Sequence, residues 1–299
     1  MRGPFGSSLS IVVATYEWPE ALNAVLGALS EQSDSAFEVI VADDGSGPGT
    51  SAVVESWKGA FGSPVAHAWQ PDDGYRRARI LNLGARRATG DYLVFLDGDC
   101  IPRRRFVECV RRAALPGWFL AGKRVNLRPH LSRRILEHQV PVWRWSAARW
   151  LLTAPREVRR PGLLVPLRDR RRPWRAGQPD FVPPYFGYGY SLGVFRADFE
   201  RVNGFDCRFT GWGEEDLEIV VRLSRSGLRC GWPGPGSTVL HLWHSTRTPS
   251  TRRNEPLLRE TERSGRVEAI VGLRELASQV SAKRCSGSSV LPEPGSRRL

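Results

Sequence analysis

Three short runs in this chain are apolar on both faces of any strand they could form, and that constrains the fold more than any other feature. They are Leu9-Ser10-Ile11-Val12-Val13-Ala14-Thr15, Phe37-Glu38-Val39-Ile40-Val41-Ala42 and Tyr92-Leu93-Val94-Phe95-Leu96. Strands of this kind must be covered on both sides, which is the condition of a parallel sheet between two helix layers. The intervening segments supply the covers. Pro19 opens a stretch with Leu22, Val25, Leu26 and Leu29 on one helical face; Ala52 to Trp57 fits a short helix and Arg77 to Ala88 a longer one. Val65 to Trp69 adds a weaker strand. The alternation predicts an α/β fold with a mixed, mainly parallel sheet and helices on both faces.

Open sheets of this type bind ligands beyond the carboxyl ends of their strands. Thr15, Asp43, Asp44, Asp97 and Asp99 fall at such ends. No Gly-x-x-x-x-Gly-Lys loop is present, and no Gly-x-Gly-x-x-Gly opens a helix, which argues against kinases and dinucleotide oxidoreductases. A phosphate would be held by other means, most simply by a metal.

Charge is unevenly placed. Lys and Arg total 44 against 31 acids, a net charge of +13. Lys123 to Arg175 alone holds 15 basic residues and three acids, Glu137, Glu157 and Asp169, so a basic surface is attached to a nearly neutral body. Trp143, Trp145 and Trp150 stand among Arg133, Arg134, Arg144, Arg149, Arg156, Arg159 and Arg160. Indoles at headgroup level over an anionic membrane, or an anionic or lipid-linked glycan acceptor, fit this pattern, as do core indoles with solvated arginines. Nucleic acid competes as a partner for a basic aromatic surface, but no recognised binding module is present. The five cysteines lack paired spacing and favour a reducing setting. The first ten residues have no apolar stretch of leader length, and no window has the apolar length of a membrane span. These features predict a cytoplasmic protein, peripheral at most at the inner face of the membrane.

Downstream, the segment Asn126 to Pro184 shows little periodicity beyond Ile135 to Trp150. Tyr190 to Phe195 reads as a strand, Glu214 to Ser226 as a helix with Leu217, Val220, Val221 and Leu223 inward, and Glu255 to Gln279 as a terminal helical region.

Four clusters could carry chemistry. Asp97-Gly98-Asp99 offers two hard carboxylates to Mg²⁺ or Mn²⁺, or is a solvated turn. Asp43-Asp44-Gly45-Ser46 can accept hydrogen bonds from a nucleobase or ribose, or is likewise a turn. Gly211-Trp212-Gly213-Glu214-Glu215-Asp216 places acids where they cap a helix, although capping leaves the glycine-flanked Trp unexplained. His241 and His244, three apart, can be metal ligands or structural.

Together with Asn203-Gly204-Phe205 and the stretch from Asp73-Gly74-Tyr75-Arg76 through Arg79, Asn82 and Gly84 to Tyr92, these motifs resemble family 2 inverting glycosyltransferases of the GT-A fold. The C-terminal part, with His244 and Asn254-Glu255-Pro256, is similar to the galactosyltransferase-type module of β-1,4-galactosyltransferases and chondroitin-type polymerases. The resemblance runs from Leu9 to Pro256 and leaves Asn126 to Pro184 unmatched. It implies one GT-A domain over residues 1–280, with a nucleotide-binding half (9–122), a basic insertion (123–185) and an acceptor and catalytic half (186–280). A Ser-, Gly- and Pro-rich tail, 281–299, is expected to be disordered.

By the same resemblance, Asp43 holds the uracil of a UDP-sugar or the thymine of a TDP-sugar, and Thr15, Glu17, Asp44, Arg79 and Gly98 join the donor site. Asp97 contacts ribose or metal, and Asp99 with His244 and His241 ligates Mn²⁺ or Mg²⁺. Asp216 is the general base beside Glu215, while Trp212 and Glu214 face the acceptor. Glu214 replaces a common glycine and Glu17 a common asparagine. Glu214 and Glu215 are expected to crowd Asp216 with negative charge and lift its pKa. Two rival readings are a sugar nucleotidyltransferase, which releases pyrophosphate, and a non-catalytic protein that binds through the basic surface.

Overall fold

The expected strands of the first hundred residues form, and the alternation of their side chains explains why. The structure is a computed structural model and describes residues 8–62, 65–158, 180–181, 190–245 and 251–278. The first part runs β1 (Leu9–Thr15), α1 (Pro19–Ser30), β2 (Phe37–Asp43), α2 (Pro48–Ser56), β3 (Ala66–Trp69), α3 (Arg77–Arg87) and β4 (Tyr92–Asp97). There follow β5 (Cys100–Pro102), α4 (Phe106–Ala113), β6 (Trp118–Ala121), β7 (Arg124–Asn126), α5 (Pro129–His138), α6 (Ala147–Glu157) and β8 (Asp180–Phe181). The chain continues through β9 (Ser191–Phe195), α7 (Arg196–Arg201), α8 (Glu215–Arg225), β10 (Arg229–Trp232), β11 (Val239–His241) and α9 (Thr251–Ser264).

Strands β3, β2, β1 and β4 lie parallel in that order, and β9, β6, β10 and β8 complete a mixed eight-stranded sheet. Ile11, Val13, Val39, Val41, Val94 and Leu96 enter one buried cluster with Leu22, Val25, Leu26 and Leu29 of α1. Val12, Ile40, Ala42, Leu93 and Phe95 enter a second cluster with Ile80 and Leu81 of α3 and Ile219, Val220 and Leu223 of α8. Each fully buried aliphatic side chain contributes roughly 1.5–3 kcal/mol, so four of them outweigh any local preference of α1. Thr15 is level with Asp43, and Ala14 with Asp97, which brings three strand ends to one edge.

A second, three-stranded sheet has the order β5-β11-β7, with His241 in register with both Cys100 and Asn126. Within the expected basic insertion, β7 and α5 border His241 and its loop. The Trp243 N–H donates to Ser132 Oγ of α5 at 2.8 Å. The periodic stretch Ile135 to Trp150 is also two helices, because Gln139 turns left-handed at φ 48° and Pro141 follows.

The indoles of this segment point inward, which corrects the reading of Trp143, Trp145 and Trp150 as headgroup anchors. Trp150 and Trp145 are buried with ring centroids 4.9 Å apart, and Trp143 packs partly against the same core. An indole contributes more by filling a core than by lying at a surface. Arg133, Arg144, Arg149 and Arg156 are exposed, as is Leu152. Arg159, Arg160, most of the remaining basic segment, Gln279 and the tail 281–299 lie outside the described residues.

In α8 the buried apolar residues are Ile219, Val220, Val221 and Leu223, while Leu217 faces a cavity. The expected terminal helical region starts earlier, at Thr251, breaks at Ser264 before Gly265 and is helical again over 273–278. Among the described residues no helix is long and apolar enough to cross a membrane, and Cys100, Cys109, Cys207 and Cys230 are free thiols.

Candidate active site

A cavity of about 920 Å³ opens where β1 and β4 end, walled by β7, β11 and the N-terminus of α8. Thr15, Asp44, Asp97, Gly98, Asp99, Trp212, Glu214, Glu215, Asp216, His241 and His244 all line it. Residues separated by more than two hundred positions thus meet in one space. Gly98 sets its geometry: its N–H donates to Ala14 O at 2.7 Å, and a Cβ there would lie 2.6 Å from that oxygen. The chain is thereby pinned to β1 between two carboxylates that face different partners.

Asp99 Oδ2 lies 3.3 Å from His241 Nε2 and 3.5 Å from His244 Nε2. Three ligand atoms here fall within 4.8 Å of one another. Ligands bonded at about 2.0–2.2 Å around one ion stand roughly 3–3.5 Å apart, so this donor set fits a divalent metal. Burial would raise the Asp99 carboxyl, but the hydrogen bond and charge of His241, with the charge of His244, hold it below the usual range. The Leu242 N–H donates to Asp99 O at 2.9 Å and fixes the histidine loop.

Beside this cluster Arg77 is buried and bridges the two halves of the chain, and a carboxylate oxygen of its partner Asp97 lies within 4.8 Å of one of Asp99. Its guanidinium donates to Asp97 Oδ1 and to Asp216 Oδ1, both at 2.6 Å, and Glu215 Oε1 is 3.6 Å away. Burial raises the Asp97 carboxyl, opposed by Arg77 and assisted by Asp99. The charge crowding expected at Asp216 acts on its neighbour: burial first, and then the Asp216 charge, push Glu215 up to about 7. The Tyr75 hydroxyl donates to Glu215 Oε1 at 3.3 Å, while Oε2 is buried without a partner among the described residues. Trp212, 53% exposed, stands at the mouth. Its loop is held by the Gly211 N–H on Tyr75 O at 2.9 Å and the Asn254 amide on Gly213 O at 2.7 Å.

Three expected donor-site residues stand elsewhere. Asp43 is fully buried, accepting from Ser46 N at 2.8 Å and facing His67 Nε2 at 3.0 Å, and it does not line the cavity. The chain leaves the strand after Asp43, so Asp44 reaches the cavity wall instead and accepts the Arg76 N–H at 2.7 Å. Arg79 acts one step removed: it donates to Gln70 Oε1, and Gln70 Nε2 donates to Asp44 Oδ1. Glu17, left-handed at φ 45°, ties two loops together through Ser46 Oγ and the Gly47 N–H.

Sequence reasoning missed Arg77, Tyr75, Trp18, Arg124 and Trp243, all of which line the cavity. Helical phase could have found Arg77, which shares the buried face of α3 with Ile80, Leu81 and Gly84.

Comparison with known proteins agrees with this geometry. Glycosyl transferase family 2 matches residues 10–117, and the N-terminal domain of galactosyltransferase matches residues 176–245. The chain joins a family 2 glycosyltransferase region to a galactosyltransferase-type one. The family 2 region carries Asp44, Arg77, Asp97 and Asp99; the second carries Trp212, Asp216, His241 and His244. Validoxylamine A glucosyltransferase of Streptomyces hygroscopicus subsp. jinggangensis is 33% identical over 74% of this chain and 52% of its own length. Chondroitin synthase of Escherichia coli is 28% identical over 73% of this chain and 32% of its own length. The chain therefore spans about half or less of the length of these relatives. The mannosyltransferase PcManGT from Pyrobaculum calidifontis, solved in complex with GDP-Man and Mn²⁺, superposes with a TM-score of 0.53 at 18% identity. That alignment covers 96% of this chain and 77% of the mannosyltransferase, and the shared fold is GT-A.

Proposed function

We propose that this glycosyltransferase moves a sugar from a nucleoside-diphosphate donor, a UDP-sugar or TDP-sugar, to a hydroxyl group of a glycan, lipid-linked or small-molecule acceptor, with inversion. One observation carries the reading: a three-donor cluster and an Arg-held carboxylate line the same cavity. Asp99, His241 and His244 would hold Mn²⁺ or Mg²⁺, which when bound draws charge from the leaving diphosphate. A solved GT-A neighbour described with GDP-Man and Mn²⁺ supports that assignment by analogy.

The chain's own groups do the rest. Asp44, held by Gln70 and Arg76, presents a carboxylate to the base or ribose of the donor. Arg77 grips Oδ1 of Asp216, so Oδ2 takes the proton of the acceptor hydroxyl as that oxygen attacks the anomeric carbon from the face opposite the diphosphate. One displacement through an oxocarbenium-like transition state inverts the centre without a covalent intermediate. Trp212 offers a flat face to an acceptor ring, with Glu214 and Glu215 beside it for its hydroxyls. Any contact with an anionic membrane would rest on exposed Arg133, Arg149 and Arg156 with Leu152, since the indoles are buried.

Calorimetric titration of UDP tests the reading. Binding is expected with Mn²⁺, is lost with EDTA, and is weakened at least about tenfold in Asp99→Ala. Screening of UDP-sugars should then release UDP. Absence of UDP and TDP binding under every condition would overturn the reading, and release of pyrophosphate would assign a nucleotidyltransferase instead.

A further inference from the structure

Among the described residues six carboxylates line the cavity, those of Asp44, Asp97, Asp99, Glu214, Glu215 and Asp216, against two guanidiniums, those of Arg77 and Arg124. Arg77 is engaged by Asp97 and Asp216. Arg124 is placed differently: it makes no ion pair with an acid among the described residues, and its guanidinium lies over the Tyr190 ring, 3.8 Å from the centroid. Stacking of this kind holds the planar fork in one orientation and leaves its in-plane N–H groups for a ligand.

The backbone fixes where that fork is. Asn126 is in register with His241, and Arg124, two residues back on β7, shares its face because Val125 between them turns into the core. Cys100, which follows the Asp99 carboxylate, lies across His241 in register and is near enough to feel the Arg124 charge. Arg124 therefore flanks the Asp99, His241 and His244 cluster, while Glu214, Glu215 and Asp216 line the cavity from the start of α8 and would repel an anionic acceptor.

We propose that Arg124 is an anion-binding residue of the donor site, taking the diphosphate of the nucleoside-diphosphate sugar. The inference rests on the functional reading above. In the transfer, the bond from the anomeric carbon to the β-phosphate oxygen breaks and its electron pair stays on that oxygen. The acceptor oxygen forms the new bond, and its proton passes to Asp216. Arg124 meets the charge gathered on the departing phosphate with two N–H donors, the geometry a guanidinium offers to phosphate oxygens.

Titration of UDP, and of uridine in competition with it, into wild type, Arg124→Gln and Arg124→Lys in the presence of Mn²⁺ tests this. Arg124→Gln should bind UDP about tenfold more weakly with uridine affinity unchanged, and Arg124→Lys should recover part of the loss. Unchanged UDP affinity in Arg124→Gln overturns the proposal. So does an equal loss for uridine, which would mean a disturbed cavity, or a loss confined to the KM of an acidic acceptor. A wild-type protein that binds neither nucleotide overturns the functional reading and this inference together; one that binds UDP while Arg124→Gln is unaltered overturns this inference alone.

Discussion

Asp99 faces two imidazoles; two residues back along the same strand end, Asp97 shares a buried guanidinium with Asp216. The partners differ in what they can give up. A neutral imidazole has a lone pair and can turn it to a cation, so the Asp99 cluster can exchange its internal contacts for an ion. A guanidinium neither deprotonates nor ligates, so the Arg77 network is complete without one. The cavity thus combines histidine donors that an ion would organise with a guanidinium that folding alone puts in place, and Asp97, within 4.8 Å of Asp99, lies where the two meet. Acidity follows the same division: Asp99 is held low by its histidines, while Glu215 is pushed up to about 7 by burial and the Asp216 charge.

The contrast can be broken most forcefully at the base. Asp216→Asn should lower the rate of sugar transfer by about 10³–10⁴-fold while leaving UDP affinity within about twofold, measured by UDP release and calorimetry. A parallel fall in UDP affinity would mean that the two parts of the site do not act separately. Next is stability. Arg77→Met leaves Asp97, Asp216 and the buried Glu215 without their counter-charge and should cost about 3 kcal/mol in urea unfolding, whereas Asp99→Asn should change it by about 1 kcal/mol or less. Equal losses would erase the distinction between a fold-made and an ion-made part. Smallest is the response to pH. Because Glu215 is raised from 4.5 to about 7 in the folded chain, it contributes about 3 kcal/mol of stability that is fully present below pH 4.5 and lost as pH rises through 7. Urea midpoints across that window should fall in wild type and flatten in Glu215→Gln; parallel curves would show that Glu215 titrates normally.

The fold was legible where burial on both faces left a signature, as in Leu9–Thr15, Phe37–Asp43 and Tyr92–Asp97, whose carboxyl ends do gather at the cavity. Adjacent acids were harder to separate. Asp43 and Asp44 are equivalent in a string of letters, yet one ends a strand inside the core and the other begins the loop at the cavity wall. Arg77 was hidden for a related reason, since it is one of three arginines in four residues and only the phase of α3 turns it inward. The Trp143, Trp145 and Trp150 set misled because amphipathic aromatics satisfy a core and an interface equally well on paper. What settled their place was Pro141 and the left-handed Gln139, which end α5 and start a tight turn at Val142–Arg144, so that Trp143 and Trp145 pack against the core ahead of Trp150 in α6.

The bond from the Trp243 N–H to Ser132 Oγ has a practical side. It clamps the loop between His241 and His244 to α5, a helix from a stretch that looks dispensable in the linear sequence and for which the family 2 and galactosyltransferase patterns have no counterpart. Anyone splicing the C-terminal part onto another member's N-terminal part would therefore have to bring α5 and β7 along, or the transplanted histidines would arrive without the brace that aims them. The natural seam for chimaeras lies before Lys123, not after Pro184.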